Sequence, residues 1–226
     1  MYCVSGRVLH VADHLGLQGL QEAICRFLYD QVSPDAEIPG DCVDLHLCPR
    51  FDGKLRVFHS AAVTFCAPSD QLGVGGYVPR KNTCDTILAR GPPHYDCVYV
   101  AKGGIDTEGF HSLMVGRVRL FFSCLHAGHT YSCMLVDWFI PVADKPDEVT
   151  GMWIVAPEVD NDGHHVQCVI SLDLVVRGAH LIGVYGSEFI PVDLHFCQDR
   201  FSSTILLGGP GMQGTNEEVS PDTSRC

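Results

Sequence analysis

Positive charge is what this sequence most lacks. Its 226 residues carry 15 Lys and Arg against 27 Asp and Glu, a formal charge of −12. A non-specific grip on nucleic acid needs clustered cations that displace counterions from phosphate, and here the cations are few and scattered. Long apolar runs are missing too. Arg117 and Arg119 interrupt one candidate and Asp173 and Arg177 another, so no membrane-spanning segment is expected. The opening Met1–Arg7 has no basic region followed by an apolar stretch of signal-peptide length, which makes an intracellular location the expectation. The paired Cys-x2-Cys knuckle is absent. Gly73-Val74-Gly75-Gly76 lacks a following Lys-Ser/Thr, so it is not a phosphate cradle. The 12 cysteines, spread from Cys3 to Cys226, are too sparse for a disulfide scaffold and read as reduced, mostly apolar positions.

What is there is a folding pattern. Leu17, Leu20, Ile24, Phe27 and Leu28 recur at three- and four-residue spacing, which predicts an amphipathic helix over Leu17–Tyr29 that ends at Ser33-Pro34. Val43–Leu47 alternates apolar and polar, and Leu55–Phe65 is rich in β-branched and aromatic residues; a strand is expected at each. Tyr77–Pro93 has no clear pattern. From Tyr95 strands are expected at 95–101, 114–124, 131–139, 152–156, 167–176 and 180–185. They are punctuated by Ala127-Gly128, Pro141, Pro146 and Asp160-Asn161-Asp162-Gly163. Gly208–Cys226 offers almost nothing to bury and is expected to be disordered.

Four constellations could carry chemistry. Cys124, His126, His129 and Cys133 lie within ten residues at an expected hairpin and are candidate zinc ligands, although their spacing is not a standard one. The alternative is that the two cysteines are apolar strand residues and the histidines decorate a turn. His164-His165 stands in a turn with no ligand partner expected nearby. Asp137 and Asp173 fall on expected strands and could serve a metal-dependent phosphoryl transfer with a third acid; a strand Asp facing water or capping a turn is the plainer reading. The aromatics around Trp138 and Trp153 could form a stacking face, or could be core. No cofactor is expected.

A family resemblance runs through the same residues. Phe51-Asp52-Gly53-Lys54, Ala67-Pro68-Ser69-Asp70, Gly91-Pro92-Pro93, Arg117-Val118-Arg119-Leu120-Phe121-Phe122-Ser123, Thr150-Gly151-Met152-Trp153 and Arg177-Gly178-Ala179-His180-Leu181-Ile182-Gly183 resemble the C-terminal part of fungal Plavaka-type transposon-encoded proteins, related to the Kyakuja-Dileera-Zisupton group. The resemblance covers most of His10–Phe196. It departs from the family pattern over Tyr77–Arg90 and after Phe196. In such elements the acidic transposase core lies upstream. The resemblance therefore implies a non-catalytic C-terminal module, associated with chromatin or DNA, and carries no catalytic residue over to this chain.

The expected fold is α+β and mainly β: a helix and a short strand pair over residues 1–94, a small SH3-like or related antiparallel barrel over 95–196, and a disordered tail over 197–226. The expected function is a non-enzymatic accessory module, intracellular or nuclear, that docks on a protein or chromatin partner. The loops Asp144–Gly151 and Asp160–His165 are the contact candidates, with Asp147, Glu148, Trp138 and Trp153 as candidate binding residues. The rivals are a metal-dependent DNA-processing fragment using Asp137 and Asp173, and a zinc-stabilised module.

Overall fold

Val8, Val11 and Leu15 recur with helical spacing next to the expected helix, and the chain forms two helices there rather than one. The computed structural model describes residues 3–66, 77–83, 96–102, 112–183 and 205–207. Strand β1 (Cys3–Arg7) leads directly into α1 (Val8–Leu15). Gly16, at φ +64, stops α1 in the left-handed conformation that a side chain resists, and α2 (Leu20–Val32) follows. Leu20, Ile24, Phe27 and Leu28 are buried on one face of α2, as the spacing requires.

Val43–Leu47 is not a strand. Two 3₁₀ turns, Gly40–Cys42 and Leu45–Leu47, replace the expected one, because they hug α2 instead of pairing with a neighbour. Arg26 Nη1 donates to the carbonyls of Gly40, Asp41 and Val43, each at 2.9 Å, and Gly40 N–H donates to Asp30 Oδ1 at 2.7 Å. These bonds satisfy backbone groups that a ladder would otherwise take.

The remaining elements are strands: β2 (Lys54–Phe58), β3 (Ser60–Cys66), β4 (Tyr77–Thr83), β5 (Cys97–Ala101), β6 (Leu113–His126), β7 (His129–Pro141), β8 (Trp153–Pro157), β9 (Gln167–Ser171), β10 (Val175–Ala179), β11 (Leu181–Gly183) and β12 (Ile205–Leu207). The unpatterned stretch beginning at Tyr77 supplies β4, which pairs with β3. The strand expected at 167–176 is broken by a 3₁₀ turn, Leu172–Leu174. Ile205–Leu207, inside the stretch expected to be disordered, is a strand between β8 and β11; the rest of 197–226 lies outside the described residues.

The architecture is organised by one long antiparallel hairpin. Ala127 and Gly128 both have positive φ, +48 and +82, which is the geometry of a two-residue turn whose twist matches its strands. The two halves of this hairpin have different neighbours. Near the turn, β6 pairs with β2 and β7 with β9; at the far end β6 pairs with β5, and β7 with β8. Between the halves β6 carries a bulge at Arg119, since Val118 faces Val136 while Leu120 faces Leu135. A bulge bends its strand and raises the local twist.

Three apolar clusters follow from this bend. Near the turn, α1 and α2 cover Leu120, Phe122, Cys124, Cys133, Leu135 and Val169. The same face at the far end gathers Cys97, Tyr99, Val115, Phe139, Trp153, Val155 and Ala179. The reverse face buries Val98, Val100, Val118, Phe121, Met134, Val136 and Trp138. Seven consecutive residues of β7, Cys133–Phe139, are thus buried with both faces covered. Leu28 is fully buried, and truncating such a residue costs about 2–5 kcal/mol.

The chain is therefore α+β, mainly β and antiparallel. The expected closed barrel is not formed by the ladders, which describe an open path running from β1 to β11 with β5, β9 and β10 as side branches. Nor does the sheet respect the expected division at residue 95. β1 and β2 belong to the same sheet as β6, and the cluster under the helices spans Val8 to Val169. Among the described residues no helix is long and apolar enough to cross a membrane.

Candidate functional site

Asp137 is the only charged residue buried among the described residues, 4% exposed. Strand alternation places it between the two apolar clusters of one sheet face, flanked along β7 by Leu135 and Phe139. Register sets Gln167, Asp137, Arg117, Cys97 and Ala179 side by side across β9, β7, β6, β5 and β10, in a single transverse row. Gln167 Nε2 donates to Asp137 Oδ1 at 2.5 Å, and Arg119 Nη1 lies 3.6 Å from Oδ2. A carboxylate this deep is tolerated only with such partners. Asp137 thus neither faces water nor caps a turn, contrary to the plainer sequence reading.

Two cations in and next to this row are held against rings. Arg117 stands 5.2 Å from the centroid of Phe139, and Arg177 stands 5.0 Å from that of Tyr99. Burial pushes the Cys97 thiol up to about 11, against the opposing pull of Arg117. Burial likewise raises Tyr99, against Arg177. Cys97 therefore carries no thiolate at neutral pH and is not poised as a nucleophile.

Asp173 stands elsewhere. It lies in the 3₁₀ turn Leu172–Leu174, exposed, with its backbone N–H and carboxylate both bonded to Ser171 Oγ at 3.4 Å. Asp137 pairs with Gln167 at the opposite end of β9, and the intervening strand alone spans about 13 Å. The two acids do not share a site.

Cys124, His126, His129 and Cys133 all belong to the β6–β7 hairpin, yet their ligating atoms do not gather. Among the described residues, Asp160, Asp162 and His164 form the one group of three or more whose ligating atoms lie within 4.8 Å of one another. Cys124 and Cys133 are buried under the helices, while His126 leans on Phe51 and His129 on Tyr131, both with ring centroids 6.5 Å apart. A hydrogen bond with Cys124, together with burial, raises the Cys133 thiol, so it stays protonated. The Asp160 group lies at the surface. Asp160 Oδ1 already accepts from the backbone N–H groups of Asp162 and His164, each at 2.9 Å. His164, for which no partner was expected, lies 3.7 Å from the Asp160 carboxylate.

The two tryptophans share no face. Trp138 is buried in the reverse-face cluster and donates from Nε1 to Cys168 Sγ at 2.9 Å, whereas Trp153 is buried with Tyr99 and Phe139. Neither offers a ring to a ligand.

What the surface does present is the connection between β7 and β8. Asp147 Oδ1 accepts from Thr150 N–H at 2.8 Å and from Thr150 Oγ1 at 2.7 Å. Backbone bonds from Gly151 N–H to Asp147 O and from Asp147 N–H to Met152 O, both 2.8 Å, close the loop. Gly151 takes φ +66 to make that closure. Lys145 Nζ meets Glu148 Oε1 at 2.7 Å. The product is a braced tip that holds Val149 out at 93% exposure; nearer the strand in sequence, Val142 at 58% and Ile140 at 46% are also exposed. The second expected contact loop, Asp160–His165, lies past the other end of β8. The two loops are separated by the length of that strand.

A groove of about 100 Å³ opens where β7 and β8 leave the hairpin, walled by Leu113, Met114, Val115, Phe139, Ile140, Pro141 and Val155, with Lys102 and Glu158 as its charged lining. Ligand pockets for small molecules run to about 300–1,000 Å³, so this one suits a single side chain. The tip and the groove were legible only in part: Asp147 and Glu148 were singled out, but Val149, Ile140 and Glu158 carry no motif. No family model, no curated protein and no solved structure matches this chain.

Proposed function

We propose that this chain is a non-enzymatic interaction module that docks on a protein partner through the β7–β8 tip. The observation that carries the reading is Val149, an aliphatic side chain held at 93% exposure by a loop that is already ordered. A rigid loop gives up little conformational freedom on binding, so its apolar contact area converts more fully into affinity. The body in this reading is an SH3-like small barrel. Its support is connectivity: β10 pairs with β5, β11 stands at the far end of the path, and only His180 separates the two in the chain. The cluster of Tyr99, Val115, Phe139, Trp153 and Val155 would be its interior. A transposon-derived origin and a nuclear location belong to the same proposal and rest on the resemblance alone.

The metal-dependent DNA-processing alternative draws no support from the separation of Asp137 and Asp173. Capture from nuclear extract with the wild-type chain and with Val149→Asp tests the module reading. A partner retained by the first and lost by the second is the expected result. No Val149-dependent partner, or cleavage of terminal-repeat DNA by the purified chain with Mg²⁺ or Mn²⁺, would overturn it.

A further inference from the structure

We infer that the groove at the foot of the β7–β8 connection, where Pro141 forms part of its wall, receives one aliphatic side chain from a partner segment whose neighbouring residues are Lys or Arg. This rests on the module reading and specifies the partner's chemistry. The walls are built on strands: Phe139 pairs with Pro157 and Pro141 with Val155, so the groove exists before anything enters it. Its apolar lining continues onto the exposed Ile140 and Val142. A cavity of about 100 Å³ admits an anchor of Leu or Ile size and no more.

Charge selects the flanks. Glu158 lines the groove, and the adjoining tip carries Asp144, Asp147 and Glu148 against a single Lys145, itself bonded to Glu148 at 2.7 Å. Among the described residues Lys102 is the one cation lining the groove. The excess is acidic locally, and the whole chain stands at −12. An acidic segment would be repelled on approach, while a basic one is steered in and its flanks neutralise the rim.

Fluorescence anisotropy with three labelled synthetic peptides tests this: Gly-Lys-Arg-Leu-Lys-Arg-Gly, the same peptide with Ser for Leu, and Gly-Asp-Glu-Leu-Glu-Asp-Gly. The first is expected to bind, roughly tenfold tighter than the Ser version, and to weaken when salt rises from about 50 to about 300 mM. The acidic peptide is expected not to bind. Glu158→Lys should weaken the first peptide roughly fivefold, with amide shifts on binding centred on Leu113, Met114 and Val155 in the wild type. The Glu158 side chain makes no ladder bond, so this variant keeps the fold. Equal binding of the acidic peptide, indifference to Glu158→Lys, or shifts elsewhere would overturn the inference. If the basic peptide fails to bind while a Val149-dependent partner is still captured, the groove assignment falls and the module reading stands. If both fail, both fall.

Discussion

Asp137 and Arg119 meet across the β6–β7 ladder, Oδ2 to Nη1 at 3.6 Å, where Arg119 is the extra residue of the bulge between the Val118–Val136 and Leu120–Leu135 pairs. The residue that bends the hairpin also supplies charge to the one acid buried among the described residues. Removing the carboxylate takes an ion-pair partner from Arg119 and an acceptor from Gln167 on a face that is largely closed to water. Asp137→Ala is expected to lower stability by about 2–3 kcal/mol, less than the roughly 3–5 kcal/mol of a fully buried pair because the Arg119 side chain is 29% exposed. Asp173→Ala, in an exposed turn, should stay within about 0.5 kcal/mol. Urea denaturation of the two variants checks the contrast.

The order of the β7–β8 tip should depend on acid. The bonds from Thr150 hold the Asp147 carboxyl below the usual Asp value of 3.8. A lowered pKa means that the ionised form is favoured in the folded tip. The bracing is therefore complete above 3.8 and is lost as pH falls through the lower, folded value. The Thr150 amide resonance should move with a midpoint below 3.8, and in Asp147→Asn this titration should vanish. A midpoint above 3.8 would contradict the geometry.

Gly40 should not accept a side chain. A Cβ there would sit 2.4 Å from the backbone carbonyl oxygen of Arg26, and that oxygen belongs to helix α2 and cannot swing aside. The Arg26 and Asp30 bonds hold the turn against the helix, so neither partner is free to retreat. Gly40→Ala is expected to cost about 1–3 kcal/mol by overpacking, read as a lowered midpoint in thermal unfolding.

Thiol labelling should follow burial. Cys42 is exposed, whereas Cys97 and Cys168 are pushed up to about 11 and about 12, mainly by burial. Alkylation at pH 8, mapped by mass spectrometry, should modify Cys42 in the native protein and reach Cys97 and Cys168 only in denaturant. Rapid native modification of Cys97 would show that the row beside Asp137 opens readily.

Much of the β-structure was legible because its causes are local. The Ala127-Gly128 turn and the apolar runs around it mark the long hairpin without reference to anything else. The bulge is harder to see. Val115, Arg117, Leu120 and Phe122 share a face although their spacing is not uniformly even; the sequence trace is only that three apolar residues follow Arg119. Val43–Leu47 misled because its alternation is real, but the Val43 carbonyl is taken by Arg26 and the segment turns against α2. The candidate site divides the same way. Asp147 and Glu148 stand out in a polar loop, while the burial of Asp137 and the convergence of Leu113 with Val155 join residues tens of positions apart.

The chain's own order of residues determined its acidic surface, its α2 periodicity, its hairpin turn and the succession of strands, since each depends on neighbours within a few positions. Tertiary structure alone decided that the two buried cysteines of the hairpin meet each other and not its histidines, that Asp137 is sealed beside Arg119 far from Asp173, and that a groove forms between the ends of β6, β7 and β8. Those outcomes depend on register and on a bend at one residue. Such quantities are fixed by which faces exclude water together, and no local pattern encodes that.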